Sequence, residues 1–454
     1  MTTLVEDIAT WVAELRFEML PRAVVDRTKL VLLDTLGCAL GALDAQPLQL
    51  ARQVVSEQGG NPQATPIGSR WKTSSDQVAF LDGIALRYLD LNDYSTVGGH
   101  PSINVAPVLS VTEAQGLSGK DLILGTIIGY EVQLRLHEAG KQGKQAGWDH
   151  STCVHYSAAA AAAKLLGLAP LPIAHALAIA GSHACTLAAV RKGKLSMWKG
   201  AAEAMAAKSG TFAALLARAG ITGPLTIFEG TGGYAEVVVG ALDGDLLRKP
   251  PQEFLLLTSC VKLWPCVFVA QAPIAAALKL RRQSEMSPEK IERIVIHLSE
   301  FSYDQQRKFL QAGLSTRESA DHSAPYCVAR ALLDGAVGLE DFEEKSFLDP
   351  RAQALFNKVS LARGATFPDK VSARLEVQLR DGATLCEEVL YPPGHTENPV
   401  GESEVVDKFR ALSEKVLGAE KTNEVCDIVL HMETAPNLAA LLEALCPLPL
   451  QAVN

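Results

Sequence analysis

Between Met1 and about Pro265 the apolar positions recur at helical spacing. Val24, Leu30, Leu33, Leu36 and Leu40 form one such run, and Leu122, Ile123, Ile127 and Tyr130 form another after a Ser118-Gly119 turn. Alanine-rich stretches, Ala158 to Ala163 and Ala201 to Ala207, carry little side-chain bulk and so let helices approach closely. Residues 1–268 are predicted to form the first part of a large all-helical domain. The pattern changes near Gln283. Ser287-Pro288-Glu289 opens a short helix, and Ile291 to Leu298 then alternates as a half-buried strand does. Ala373 to Leu379 and Thr384 to Leu390 flank Asp381-Gly382, a hairpin signal because glycine accepts positive φ without a Cβ clash. Residues 269–402 are thus predicted to be a smaller α+β domain. From Glu404 to Leu417 the helical period returns, with Val406, Phe409, Leu412 and Val416 on one face, so residues 403–454 are expected to rejoin the helical domain. The fold class that follows is mainly α.

Composition narrows the function. With 48% hydrophobic and 20% charged residues, the 454-residue chain has material for more than one packed core. A formal charge of -9, with no long run of Lys or Arg, leaves no electrostatic footprint for nucleic acid or an anionic membrane. A small anionic substrate would have to be held by local cations against that field. The nine cysteines show no paired C-x-x-C spacing, which fits reduced thiols in a cytoplasmic protein better than disulfides or a zinc site. Met1 to Glu14 lacks a basic region followed by an apolar core, so no signal peptide is expected. The uncharged stretch from Leu165 to Val190 is long enough to span a bilayer, but Pro170, Pro172, His175, Gly181 and His183 interrupt it. Buried helices are the expected outcome.

No Walker loop, no G-x-G-x-x-G after a strand, no H-E-x-x-H and no G-x-S-x-G is present. What remains is a set of side chains suited to acid/base work. Asp90, Asp93 and Tyr94 lie in LDLNDY and His100 in GGHPS, a turn-prone stretch that can present side chains to a cleft; the same spacing also suits loop and cap residues. His150, in GWDHST, stands at the start of an alanine-rich helix, where the helix dipole disfavours imidazolium and leaves a neutral base. Lys192, Lys194 and Lys199 alternate with Leu195, Met197 and Trp198, a pattern open to two readings: a basic surface loop, or cations entering a pocket to bind carboxylate. Lys262 is an isolated cation in VKLWP.

Taken in order, LDLNDY, GGHPS, GWDHST, KGKLSMWKGAA, IFEGTGGY, VKLWP and ESADHSAPY resemble the MmgE/PrpD family from about Glu6 to Leu445. That family includes 2-methylcitrate dehydratases, cis-aconitate decarboxylase and iminodisuccinate epimerase. The resemblance implies a homodimer whose subunit carries a smaller α+β lid on a large helical domain, with a site between them that needs no metal or cofactor. It places functional positions on Asp90, His100, His150, Lys194, Lys262 and Tyr303, with Asp93, Tyr94, Ile103 and Lys199 expected at the substrate; Asp321-His322 reads as structural. The LDxND and lysine motifs favour the 2-methylcitrate dehydratase branch, and hence dehydration of a small hydroxy-polycarboxylate. The alternatives are decarboxylation or epimerisation of a related acid, or a member that only binds one. In the dehydration, His150 is the expected base, Lys194 and Lys262 the stabilising cations, and His100 (held by Asp90) or Tyr303 the acid. Three positions depart from the family pattern: Tyr94 stands where many relatives have Thr, Ile103 where Asp is expected, and Val267 where the decarboxylase has His.

Overall fold

The structure is a computed structural model of the chain that describes residues 2–140, 147–193, 195–283, 286–364 and 366–447. It is mainly α-helical and builds two large hydrophobic cores, with smaller buried clusters beside them. The first is formed by helices before Val261 together with Val405 to Leu445 from the end of the chain, and the second by Cys266 to Val389. The Glu402–Leu417 helix makes the return, burying Val405, Phe409 and Leu412 against the Arg22–Leu40 helix.

At the centre of the large domain the Ser151–Leu165 helix packs against the Trp198–Arg218, Gly119–Ala139 and Pro170–Ser182 helices. Its residues Ala158 to Ala163 are all fully buried. Close approach, more than side-chain bulk, sets this packing: a Cβ on Gly210 would stand 2.4 Å from the His155 carbonyl oxygen, and one on Gly83 would stand 2.7 Å from the Ala204 Cβ. The Ser118 hydroxyl caps the Gly119–Ala139 helix by accepting from the Asp121 amide, while the Asp121 carboxylate accepts from the Ser118 amide. The uncharged stretch after Leu165 folds as the Pro170–Ser182 helix and a following turn, and no described helix is long and apolar enough to cross a membrane.

The smaller domain holds a four-stranded sheet. Numbered in chain order, the strands are β1 (Tyr94–Ser95), β2 (Ser259–Cys260), β3 (Ile291–Leu298), β4 (Val359–Arg363), β5 (Ala373–Leu379) and β6 (Thr384–Val389). The sheet runs β4-β3-β5-β6, with β3 and β4 parallel and the other pairs antiparallel. Ile294, Ile296 and Leu298 pair with Val377, Leu375 and Ala373, and this buried face packs against the Gln271–Gln283 and Ala324–Asp334 helices. Gly382 makes the hairpin turn between β5 and β6 at φ 91°. The two-residue strands β1 and β2 pair with each other at the junction of the domains, Tyr94 opposite Cys260.

The glycine contacts define a stability test. Replacing Gly210 with Val should push the Trp198–Arg218 helix off the His155 backbone and cost about 1–3 kcal/mol. Thermal unfolding would register this as a lowered Tm, and an unchanged Tm would show that the helices have room to spare.

Candidate active site

The β1–β2 pairing brings two distant segments together. Asp90 leaves the C-terminus of the Ser75–Tyr88 helix at φ 49°, the only positive φ outside glycine among the described residues. A left-handed backbone at a side-chain-bearing residue costs about 1–3 kcal/mol, so its surroundings must hold it there. Lys262, two residues beyond β2, supplies part of that hold: its Nζ donates to the Asp90 carbonyl and to Oδ1, both at 2.7 Å. Lys199, in the first turn of the Trp198–Arg218 helix, reaches Oδ2 at 3.2 Å. Arg87 Nη1 stands 3.4 Å from Oδ1, and His322 Nε2 stands 3.4 Å from Oδ2. Burial alone would raise the Asp90 carboxyl, but Lys199, Lys262, His322 and Arg87 outweigh it and hold it well below the ordinary carboxylate range. Asp90 is thus a permanent buried anion.

A second buried carboxylate lies one helical turn beyond Lys199. Glu203 is on the same face, i to i+4, and pairs with Arg87 Nε, with Arg191 Nη2 at 3.3 Å and with His150 Nε2 at 2.5 Å. His150 precedes the Ser151–Leu165 helix, and its Nδ1 is 3.7 Å from Asp149 Oδ2, which in turn accepts from Arg191 Nε at 2.7 Å. Arg87 joins the two networks, since it contacts both Asp90 and Glu203 and also donates from Nη1 to Asn92.

His100 is held differently. Its Nδ1 lies 2.8 Å from the Asp93 carbonyl oxygen, which can only accept, so Nδ1 carries the hydrogen and Nε2 keeps the lone pair. Burial, followed by the nearby Arg87 and Lys262 charges, pushes this imidazole well below its usual value and keeps it neutral. Its ring is 5.4 Å from that of His150, edge to face. Both rings line a cavity of about 860 Å³ at the domain junction, together with Asp90, His137, Arg191 and His322.

The cavity sorts the residues expected from sequence. Asp90, Tyr94, His100 and His150 line it. Lys199 and Lys262 do not: both ammonium groups are buried behind Asp90 and committed to it, so Lys262 is not placed to touch a substrate. Asp93 also lies behind the wall, its carboxylate accepting from the Ser102 amide and the Tyr130 hydroxyl. Its carbonyl, and not Asp90, is what orients His100. Ile103 is buried in a separate cluster with Val154, Ala158, Ala206 and Ala207, because the turn Pro101–Asn104 directs it into the helical domain. Tyr303 is on the wrong side of its helix. In Glu300–Ala312 the cavity takes Phe301, Asp304, Gln305, Lys308, Phe309 and Ala312, one helical stripe, and Tyr303 falls outside it with Arg363 over its ring at 5.0 Å. Lys194 lies outside the described residues.

Sequence reasoning missed Arg87, Glu203, Arg191 and His137, and read His322 as structural although it lines the cavity. Glu203 had one signal, a lone carboxylate four residues after Lys199 in an alanine-rich helix; His137 had none. Among the described residues, one group has the ligand types and spacing for a metal ion, Asp90 with Asp321 and His322. Its donors are already engaged. Both Asp90 oxygens face ammonium groups, and His322 Nδ1 is bonded to Asp321. A divalent cation there would sit beside three fixed positive charges.

A large helical domain and a smaller α+β domain, with imidazoles and buried ion pairs at their junction, is the class the structure defines. The chain belongs to the MmgE/PrpD family: it matches the MmgE/PrpD N-terminal domain over residues 6–245 and the MmgE/PrpD C-terminal domain over residues 264–433. It is 28% identical to the cis-aconitate decarboxylase-like protein oryM of Aspergillus oryzae, over 96% of both chains. It is also 28% identical to the cis-aconitate decarboxylase of Homo sapiens, over 97% of this chain and 94% of the relative. With the 2-methylcitrate dehydratase of Salmonella typhimurium it shares 26% identity over 93% of this chain and 92% of the relative.

The buried imidazoles set a pH dependence. Burial, then the charge of His150, pushes His137 down to about 4, whereas in the unfolded chain it titrates near 6.5. The unfolded state therefore binds the extra proton between those values, and stability is lost as pH falls through that window. His137→Gln should flatten the fall in stability between pH 6.5 and 4 by up to about 1.4 kcal/mol per pH unit. Denaturant titrations at several pH values check this; identical slopes for both proteins would mean that His137 is protonated in the fold.

Proposed function

We propose that this protein is a lyase that dehydrates a small hydroxy-polycarboxylate of the 2-methylcitrate kind, using its own side chains and no metal. The observation that carries this reading is the pair of neighbouring imidazoles in opposite hydrogen-bond settings. His100 is neutral and, among the described residues, nothing is bonded to its Nε2, so it suits the proton acceptor. His150 has carboxylates on both sides, Glu203 and Asp149, which gives it charge partners for a proton that it hands over. These roles reverse those expected from sequence, because the hydrogen-bond partners that decide them come from distant segments.

In this reaction His100 removes the hydrogen beside one carboxylate, and negative charge builds on that group. Arg191, Lys192, Lys308 and Lys370 line the cavity and make its wall locally positive for an anionic substrate, against the chain's net charge of -9, although Arg191 also pairs with Asp149 and Glu203. The hydroxyl on the neighbouring carbon leaves as water with the proton from Nδ1 of His150, whose Nε2–H stays on Glu203, a carbon–carbon double bond forms, and exchange with solvent restores both rings. The relatives named above as dehydratases and decarboxylases support an acid of this class. Dehydration is favoured by Val267, which lines the cavity where the decarboxylase pattern has His and offers no proton. The engaged oxygens of Asp90 support a reaction without a metal.

The test is turnover of 2-methylcitrate in EDTA, followed by absorbance of the conjugated product alongside evolved CO₂. The expected result is product without CO₂. His100→Gln should fold and lose about 10² to 10⁴ in kcat, the usual contribution of a general base. Evolved CO₂, dependence on a divalent ion or a loss below about threefold in His100→Gln would each overturn the scheme.

A further inference from the structure

The polar residues account for only part of the cavity. Another part of its wall is a run of aromatic and alkyl side chains drawn from three segments: Tyr94 on β1, Val267 and Phe268 after Lys262, and Phe301 in the first turn of the Glu300–Ala312 helix. The Tyr94 and Phe268 ring centroids are 5.2 Å apart, and those of Phe268 and Phe301 are 6.4 Å apart, so the rings form a continuous ladder. Its inner end is buried, with Tyr94 3% exposed, and its outer end is open, with Phe301 53% exposed. Core packing accounts for Tyr94, which sits with Cys260 and Val371, but not for Phe301. A single exposed ring is ordinary, but Phe301 continues the row of Tyr94 and Phe268 rings at the mouth of a concave site, and a contiguous apolar wall of that kind marks a ligand contact. Lys370 lies over the Phe268 ring at 5.6 Å, which places a positive charge beside the ladder.

A citrate-sized acid needs cations and hydrogen bonds on most of its surface, and it would leave this ladder and much of the 860 Å³ unused. We propose that the Tyr94–Phe268–Phe301 ladder binds a hydrocarbon chain, and that the preferred substrate is a polycarboxylate bearing an alkyl group longer than methyl. The carboxylates meet the basic residues near His100 and His150, and the chain runs outward along the rings towards Phe301. This names the substrate class of the site and rests on the acid/base reading above. It also replaces Ile103, which the fold removes from the cavity, with Phe268 and Phe301 as the residues that set specificity.

The test separates binding from turnover. Calorimetric titration with succinate, methylsuccinate, butylsuccinate and hexylsuccinate probes the ladder with acids that carry no hydroxyl to lose. Burial of each methylene should tighten Kd by roughly three- to fourfold. Phe268→Ser and Phe301→Ser should flatten that gradient while leaving the affinity for succinate within about threefold. Phe301 is half in water, so its replacement tests the ladder even if the Phe268 variant does not fold. Equal Kd for methyl- and hexylsuccinate, or a gradient untouched by Phe301→Ser, would overturn the proposal. Turnover of 2-methylcitrate and 2-hexylcitrate is then measured separately. Binding that improves with chain length but no turnover of either acid would sink the acid/base reading and leave the ladder standing; turnover of both with no chain-length gradient in binding would do the reverse.

Discussion

A carboxylate with two lysines, an arginine and a histidine around it, all out of water, is the constraint on which the rest of the site depends. Taking Asp90 or Lys262 alone from water would cost several kcal/mol, and their mutual attraction offsets this only where the geometry is good and the remaining hydrogen bonds are made. Here Lys262 satisfies both the carboxylate and the carbonyl of the same residue, which also holds Asp90 in its left-handed conformation. The four partners come from the end of the Ser75–Tyr88 helix, the start of the Trp198–Arg218 helix, the segment after β2 and the end of Arg317–Asp321. One anion therefore ties the two domains together at the floor of the cavity. A charge cluster of this kind adds little net stability over an apolar core, and its value lies in fixing position.

From that anchor the chemistry of the cavity is ordered by distance. The groups bonded directly to Asp90 are spent on structure, and Arg87 passes the constraint to Glu203 and through it to His150. His100 lies close enough to feel the positive charges of Arg87 and Lys262 but, among the described residues, is bonded only to a carbonyl, so it stays neutral. The same charges that hold Asp90 as an anion thus keep His100 neutral. Beyond these residues the wall turns apolar, and the Glu300–Ala312 helix closes the mouth with one stripe that mixes Asp304, Gln305 and Lys308 with Phe301 and Phe309.

Much of this was legible in the sequence, for local reasons. The helical domain was readable because its apolar residues keep one period over long runs, and the β5–β6 hairpin because Asp381-Gly382 is a strong turn signal. Strand β4 was not, since five residues of VSLAR become a strand only by pairing with β3 across more than sixty intervening positions. The polar residues that ended near the cavity, Asp90, His100, His150, Lys199 and Lys262, stood out as ionisable groups in apolar or turn-rich surroundings. Their partners could not be read. Whether His100 is bonded to Asp90 or to the Asp93 carbonyl is a matter of a few ångströms in a turn, and that choice decides which of its ring nitrogens keeps a lone pair. Ile103 and Tyr303 were misplaced for a simpler reason: a motif fixes a residue's neighbourhood, while the side of a turn or helix on which it emerges depends on packing elsewhere.

The claim that Asp90 and Lys262 are a compensated buried pair is tested most directly by a double-mutant cycle. Stability to denaturant would be measured for the parent protein, Asp90→Asn, Lys262→Met and the double variant. Asp90→Asn should cost about 3–5 kcal/mol, because it leaves Lys262 and Lys199 buried without their anion, whereas Lys262→Met should cost less, because Lys199 and Arg87 still face Asp90. The double variant should then be more stable than the sum of the two losses implies, with a coupling of about 1 kcal/mol or more. Losses that add to within about 0.5 kcal/mol would contradict the account and show that Asp90 does not depend on Lys262.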